Sequence, residues 1–407
     1  MPCDDILLAG ALPGEAAGNS VSTDTLLAAL LANGPVRLLT HETSLLPHAR
    51  VFVHSSAPAI SLGVQPLCIH GEATVAARVY RRQLRAFSCG WAVNSRYACA
   101  LRAAGVPYLI WEPTVLREEL AITDMAAARH SGRGSGLGVL LHKALLPIDE
   151  RLEGKLYRGA VAVLAMSEYT AGTIRSLHGL GNEKLRVLAH PPPPAFLDAL
   201  ARARREVDRR CGENEELGSA RRPIRLLFVG RVDDPRKNFL LLRDAFETLE
   251  ADSINAMLTV VGPHNSEWRR SLNLENKKSI QFTGEVPESD LVSALLTHDA
   301  LVVPSRQEGL GIVVTEAMHA GLPVVSTRCG GPEQMLRESG GGILVEHSPR
   351  ALAAAIHALA ADPALRAVMG RRGRKYAEHE LSTGRFQERV AQELELLRAA
   401  ARLLART

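Results

Sequence analysis

The sequence predicts an α/β protein made of two Rossmann-like βαβ domains facing a central cleft. Three observations carry this expectation. Short apolar runs alternate with helical patterns through both halves of the chain. A seam near residues 191–222, four consecutive prolines and then a charged stretch, separates two halves of comparable size. The length of 407 residues is enough for two independent cores.

In the first half, Ile6 to Ala9 is expected as a strand, followed by a loop carrying Gly10, Gly14 and Gly18. A helix from about Thr23 to Ala32 stops at the turn pair Asn33-Gly34, and Val36 to Thr40 is the next strand. Further strands are expected at Val51 to His54, Leu67 to His70, Trp91 to Asn94, Tyr108 to Trp111 and Ala160 to Met166. Ser131 to Gly138 is too Gly-rich for regular structure and is expected as a mobile surface loop. Ser167, just after the Ala160 to Met166 run, has the chemistry of a helix N-cap. Val187 to His190 ends a strand, Pro191 to Pro194 follow, and Ala199 to Glu216 is a charged helix or tail.

The second half repeats the pattern more cleanly. Its expected strands are Ile224 to Val229, Ala256 to Val261, Ile280 to Thr283, Ala300 to Val303, Pro323 to Ser326 and Gly342 to Val345, with helices between them such as Phe239 to Glu250 and Ser289 to Thr297. The last helix, about Thr383 to Leu404, carries Phe386, Val390, Leu394, Leu396 and Leu397 toward one face. The expected organisation is a first domain over 1–195, a charged linker over 196–222 and a second domain over 223–382. The helix over 383–407 has a face with which to pack back on the first domain.

Hydrophobic content of 46% and charged content of 23% are those of a globular protein. Aromatics are only 4%, which argues against base stacking as a recognition mode, and a net charge of +4 gives no case for nucleic acid. The six cysteines are scattered without metal-ligand spacing and are expected as buried thiols. Asp4 and Asp5 stand where a signal peptide would be positive, and no apolar run reaches a membrane span, so a cytoplasmic protein is expected. Tyr80-Arg-Arg-Gln-Leu-Arg85 is a basic helical stretch; a solvated face and a peripheral membrane contact are its two readings.

The chemistry concentrates in Ser305-Arg-Gln-Glu-Gly-Leu-Gly-Ile-Val-Val-Thr-Glu316. Glu308 lies in a Gly-rich loop at the mouth of the Ala300 to Val303 strand. Glu316 lies about one turn into the helix from Ile312 to Ala320, which Gly321 and Pro323 stop. In open parallel sheets ligands bind beyond the carboxyl ends of the strands. There the N–H groups of Gly309, Leu310, Gly311 and Ile312 favour an anion. Carboxylates beside an anion site suit hydroxyl groups, so a phosphate with a sugar on either side satisfies both halves. Gly230-Arg231 follows the first strand of the second half and Lys237 lies six residues on, so two cations can reach one diphosphate from two sides. A solvated basic loop is the alternative; Arg236 is expected to face solvent. Asp233-Asp234, closed by Pro235, suits a turn, and no metal site is expected.

Taken together, Phe228-Val-Gly-Arg231, Lys237, Val260-Val-Gly262, Phe282-Thr-Gly284, Val302-Val-Pro-Ser305, Glu308-Gly-Leu-Gly311, Glu316-Ala-Met, Ala320-Gly-Leu-Pro323, Gly330-Gly331 and Gly342-Ile-Leu-Val345 resemble the retaining glycosyltransferases of the GT-B fold, family 4. The carboxylate pair matches that family's E-x7-E signature. The resemblance implies transfer of a sugar from a nucleotide donor with retention of configuration and no metal or other cofactor. It implies that Arg231 and Lys237 bind the donor diphosphate and Glu308 the hydroxyls of the transferred sugar. Glu316 would hold the ribose, with Gly230, Ile312 and Thr315 close by. The first half matches loosely, as the acceptor side. Gly14 to Gly18 stands where the family has a phosphate loop; a turn is its other reading. The strand that usually ends in a histidine runs here into Trp111-Glu112-Pro113. Glu112 is then either an acceptor-orienting group or a turn residue, and His70 either a cleft histidine or a structural one. The acceptor, whether small molecule, glycan or lipid, stays open. So do an epimerase or phosphorylase on the same fold, and a non-catalytic sugar-nucleotide-binding module.

Overall fold

Apolar runs closed by Gly or Pro become parallel strands buried on both faces. Ile6, Leu7, Leu8 and Ala9 are all fully buried, and the whole strand Tyr108–Glu112 is buried along its length. The computed structural model describes residues 3–9, 18–43, 49–54, 57–64, 84, 87–118, 136–211, 222–264, 269–270, 274 and 277–405. The chain divides into two units, Met1–His190 with Thr383–Thr407, and Pro191–Ser382.

In the first unit the strands are β1 (Cys3–Ala9), β2 (Val36–Thr43), β3 (Ala49–His54), β4 (Ala57–Val64), β5 (Phe87–Val93), β6 (Tyr108–Glu112), β7 (Ala162–Ala165) and β8 (Leu185–Val187). They form one sheet in the order β3-β4-β2-β1-β5-β6-β7-β8. β3 pairs antiparallel with β4, and the other neighbours are parallel. β4 has no counterpart in the sequence reading, because Pro58 and Gly63 interrupt its apolar pattern. The helix Gly18–Leu31 begins earlier than its apolar residues suggest. The Gly-rich stretch expected as a loop ends in a helix, Gly136–Gly159; the preceding residues 131–135 lie outside the described ones. Ser167 caps the helix Glu168–His178, accepting from the Thr170 N–H at 3.2 Å. The helix Thr383–Leu404 buries Phe386, Val390, Leu394 and Leu397, whereas Leu396 is exposed because it falls off that i, i+4, i+8, i+11 stripe.

In the second unit β9 (Ile224–Val229), β10 (Ala256–Val261), β11 (Ile280–Gly284), β12 (Ala300–Val303), β13 (Val324–Thr327) and β14 (Gly342–Val345) lie in the order β11-β10-β9-β12-β13-β14. All five pairings are parallel. This is the doubly wound order 3-2-1-4-5-6, with its switch point between β9 and β12. Phe228, Phe239, Leu242 and Phe246 lie in its core. Of the two readings of Ala199 to Glu216, helix or tail, the described part is a helix, Pro194–Cys211; it starts earlier than expected, and its buried Phe196 and Leu200 make it more than a linker. Its polar face supplies the charge that made it read as a linker.

Cys89, Cys99 and Cys329 are buried, as expected of scattered thiols. Among the described residues no single helix is long and apolar enough to cross a membrane.

Candidate functional site

The two strands flanking the switch point of the second sheet each end in a loop bearing charge, and the two loops are strapped together. The loop after β12 runs from Pro304 to Gly311, and the loop after β9 from Gly230 to Asn238. Arg306 donates its N–H to the Arg236 carbonyl at 2.7 Å, and the Asn238 side-chain amide donates to the Pro304 carbonyl at 3.2 Å. Asn238 holds a left-handed backbone, φ 48°, which Asn tolerates better than most residues. These straps bring Lys237 Nζ to 2.8 Å from Glu308 Oε1. The Ser305 hydroxyl donates to the same oxygen at 2.6 Å.

A third loop closes on Glu308 from β13. The Glu308 N–H donates to the Cys329 carbonyl at 2.7 Å, and the Gly331 N–H donates to the Glu308 carbonyl at 2.9 Å. Gly331 lies so close to the Gly309 carbonyl that a Cβ there would overlap it. Gly311 caps the helix Ile312–Ala320 with φ 82°, a conformation that suits glycine. The N–H groups of Gly309, Leu310, Gly311 and Ile312 make no backbone hydrogen bond among the described residues. They stand at a helix N-terminus, where an anion is favoured.

Glu316 sits half-buried in that helix. Burial pushes its carboxyl up to about 8, the nearby Glu288 charge adds to the rise, and Lys237 opposes it. Lys237 is therefore electrostatically shared by both carboxylates of the E-x7-E pair. The shift favours the neutral acid of Glu316, which can donate as well as accept a hydrogen bond.

Asp234, nearly buried, takes Arg231 Nη2 at 2.7 Å and Arg236 Nη2 at 2.7 Å, and also accepts the Arg236 N–H at 2.9 Å. Burial alone would raise this carboxyl, but Arg236 and then Arg231 hold it well below the usual carboxylate range. Arg236 is thus not the solvent-facing residue expected. Arg231 does stand at the end of β9 with a largely exposed guanidinium, steered by Asp234. With both guanidinium groups on it, Asp234 is the anchor of a turn. No group of metal-ligating side chains occurs among the described residues.

Thr315 is fully buried and donates its hydroxyl to the Ile312 carbonyl at 2.7 Å, so it serves the helix rather than facing the loop. Leu310 is buried, while Gly230, Gly309 and Ile312 are half-buried.

On the first unit, Glu112 is buried at the end of β6. Its Oε2 accepts from the Ser95 N–H at 2.8 Å and from the Tyr157 hydroxyl at 3.0 Å. Burial, with the charges of Glu112 and Glu153, raises the Tyr157 phenol well above its ordinary value. Glu112 is an internal brace at the start of the helix Ser95–Ala104, neither a turn residue nor an open group. Gly18 opens the helix Gly18–Leu31, and Gly14 and His70 lie outside the described residues.

Three contacts were not expected: Ser305 on Glu308, Asp234 on two arginines and Asn238 on Pro304. The Ser-x-x-Glu spacing of 305 and 308 was a usable signal, because side chains three apart in a tight loop can meet. The other two depend on how a loop folds back, which no spacing reports.

Residues 213–376 match the family model described as Glycosyl transferases group 1. The chain is 29% identical over 265 residues to a GDP-mannose-dependent alpha-(1-6)-phosphatidylinositol monomannoside mannosyltransferase of Mycolicibacterium smegmatis, covering 62% of this chain and 66% of that protein. It is 33% identical over 176 residues to a D-inositol 3-phosphate glycosyltransferase of Corynebacterium diphtheriae, covering 40% of each. The match to these curated relatives thus spans about two fifths to two thirds of their length. Among solved structures, sucrose-phosphate synthase from Thermosynechococcus elongatus superposes with a TM-score of 0.73 at 19% identity, over 98% of this chain and all of that one. Anabaena HepE in complex with UDP superposes with a TM-score of 0.67 at 15% identity, over 97% of this chain and all of that one. At these identities the structural likeness is one of fold.

Proposed function

We propose that this chain, a GT-B-fold glycosyltransferase of the group 1 type through residues 213–376, moves a sugar from a nucleoside-diphosphate donor to an acceptor hydroxyl, with retention of configuration and without a metal ion. The observation that carries the reading is the juxtaposition, across one switch point, of Lys237 with Glu308 beside the amides of Gly309 to Ile312. A diphosphate over those amides meets the positive charge of Lys237 and Arg231, and its neighbouring hydroxyls meet carboxyl groups on both sides.

In this reading the acceptor oxygen attacks the anomeric carbon as the bond to the leaving phosphate breaks. That phosphate takes the acceptor proton. Arg231, Lys237 and the loop amides stabilise the charge that collects on the departing diphosphate. Glu308 accepts from hydroxyls of the transferred sugar. Glu316, its carboxyl shifted toward the neutral acid, exchanges hydrogen bonds with the ribose. No protein nucleophile is required, because the second unit contributes orientation and charge. The acceptor is chosen outside the segment that matches the family model. D-inositol 3-phosphate and phosphatidylinositol monomannoside, named for the two relatives, are the acceptors to try first.

The test begins with a panel of UDP-, GDP-, ADP- and dTDP-hexoses. Slow release of nucleoside diphosphate is expected from one of them; an isomerised donor would point to an epimerase, and binding without turnover to a module. With an acceptor in hand, proton NMR of the product reads the anomeric configuration. Arg231→Ala and Lys237→Ala are each expected to lower kcat/KM by about 10²–10³-fold with an unchanged circular dichroism spectrum. Near-normal turnover in both variants would sink the assignment.

A further inference from the structure

We infer that Ser305 is a positioning residue that fixes which oxygen of Glu308 is presented to the transferred sugar; this rests on Glu308 being the sugar-facing carboxylate. Lys237 Nζ and Ser305 Oγ both donate to Oε1 of Glu308, at 2.8 and 2.6 Å. Oε2 makes no hydrogen bond among the described residues. A carboxylate held only by a lysine on a four-carbon stem can turn about its terminal bond, because that torsion is broad and an ammonium is a point charge without fixed direction. A second donor on the same oxygen, from a side chain that cannot move, sets the plane of the group. Oε2 is then left as the acceptor for a hydroxyl.

Ser305 is such a side chain. It is 1% exposed, and its carbonyl accepts from the Thr327 hydroxyl at 2.5 Å. Immediately before it, the Pro304 carbonyl is held by Asn238. The Ser305 hydroxyl is also not what closes the loop. The loop is closed by the backbone bonds from Glu308 to Cys329 and from Gly331 to Glu308. Removing the hydroxyl therefore frees the carboxylate while leaving the loop and its amides in place. The consequence is specific: binding of the sugar suffers and binding of the nucleotide does not.

The experiment compares the nucleotide-hexose that the wild-type protein binds most tightly in the panel with its parent nucleoside diphosphate, by calorimetric titration, in wild type, Ser305→Ala and Ser305→Thr. Ser305→Ala is expected to weaken the nucleotide-hexose about tenfold and lower kcat by a similar factor while leaving the nucleoside diphosphate within about twofold. Ser305→Thr, which keeps the hydroxyl, is expected to recover most of that loss. On a Glu308→Gln background, Ser305→Ala is expected to change affinity by less than about twofold, since the two residues act through one contact. Thermal melts establish that each variant is folded. Equal losses for both ligands, no loss for either, or the same loss on the Glu308→Gln background would each overturn the role of Ser305. A wild-type protein that binds no nucleotide-hexose overturns the sugar-transfer reading and Ser305 with it. Normal wild-type binding beside an unaffected Ser305→Ala overturns Ser305 alone.

Discussion

The cations of the second unit are paired residue by residue, Lys237 with Glu308 and Arg231 with Asp234. Each pair restrains a flexible side chain, and the Lys237 pair does so beside the loop amides, so less rotamer freedom is lost when an anion binds. Glu316 gives the clearest titration. Its carboxyl, raised to about 8 chiefly by burial, binds a proton in the folded protein that the unfolded chain releases near the ordinary value of 4.5. Between those values the folded state holds more protons, so stability is greatest at acid pH and falls as pH rises toward and through 8. Glu316→Gln, a permanent mimic of the neutral acid, should match wild type at pH 5 and exceed it at pH 9 in urea-unfolding midpoint. Parallel pH profiles for the two proteins would contradict it. The carboxylates and Lys237 were legible in sequence because a strand, a Gly-rich loop and a helix start fix where they sit. The grip of Asp234 on two arginines was not, since side-chain pairing within a turn follows from the fold of that turn and not from composition.

At the scale of elements, the site is a junction of three loops after β9, β12 and β13, and their closeness depends on small residues. Gly331 begins the helix Gly331–Ser339, against the carbonyl of Gly309. Gly331→Ala must push one loop away. An expected loss of about 1–3 kcal/mol in stability should come with a fall in affinity for nucleoside diphosphate, because the displaced segment carries the amides proposed to hold it. Chemical denaturation and titration on the same preparation read both; a stable variant that binds normally would show the contact to be dispensable. In the second half the sequence marks its strands well, since each is a continuous apolar run closed by Gly, Pro or a polar turn; β9, β10, β12 and β14 lie where that pattern puts them. In the first half β4 escaped because Pro58 and Gly63 break its pattern. The helix Pro194–Cys211 was legible as a charged helix but not as part of the second unit, because its few buried residues are outnumbered by charge.

At the scale of the whole molecule the chain passes from the first unit to the second after His190 and returns after Ser382, so the first unit is completed only by residues beyond the second. The returning helix Thr383–Leu404 is part of that unit's core. Phe386 packs against Trp111 at 5.5 Å between ring centroids and near His190, and Val390, Leu394 and Leu397 are fully buried. Arg186 pairs with Glu393, and Arg389 donates to the Val187 carbonyl, joining the helix to β8 at its edge of the sheet. Losing four large apolar side chains from a core forfeits on the order of 10 kcal/mol, comparable to the whole stability of a domain. A chain ending at Ser382 is therefore expected to lack a folded first unit while residues 191–382 keep their own core. Calorimetry should show one unfolding transition where the full chain shows more heat. Limited proteolysis should reduce the shortened protein to a fragment near 191–382 that still binds nucleoside diphosphate, because the three loops proposed to hold the donor lie inside it. A truncated protein whose first unit resists protease as the full chain does would mean that the sheet closes its core without the helix.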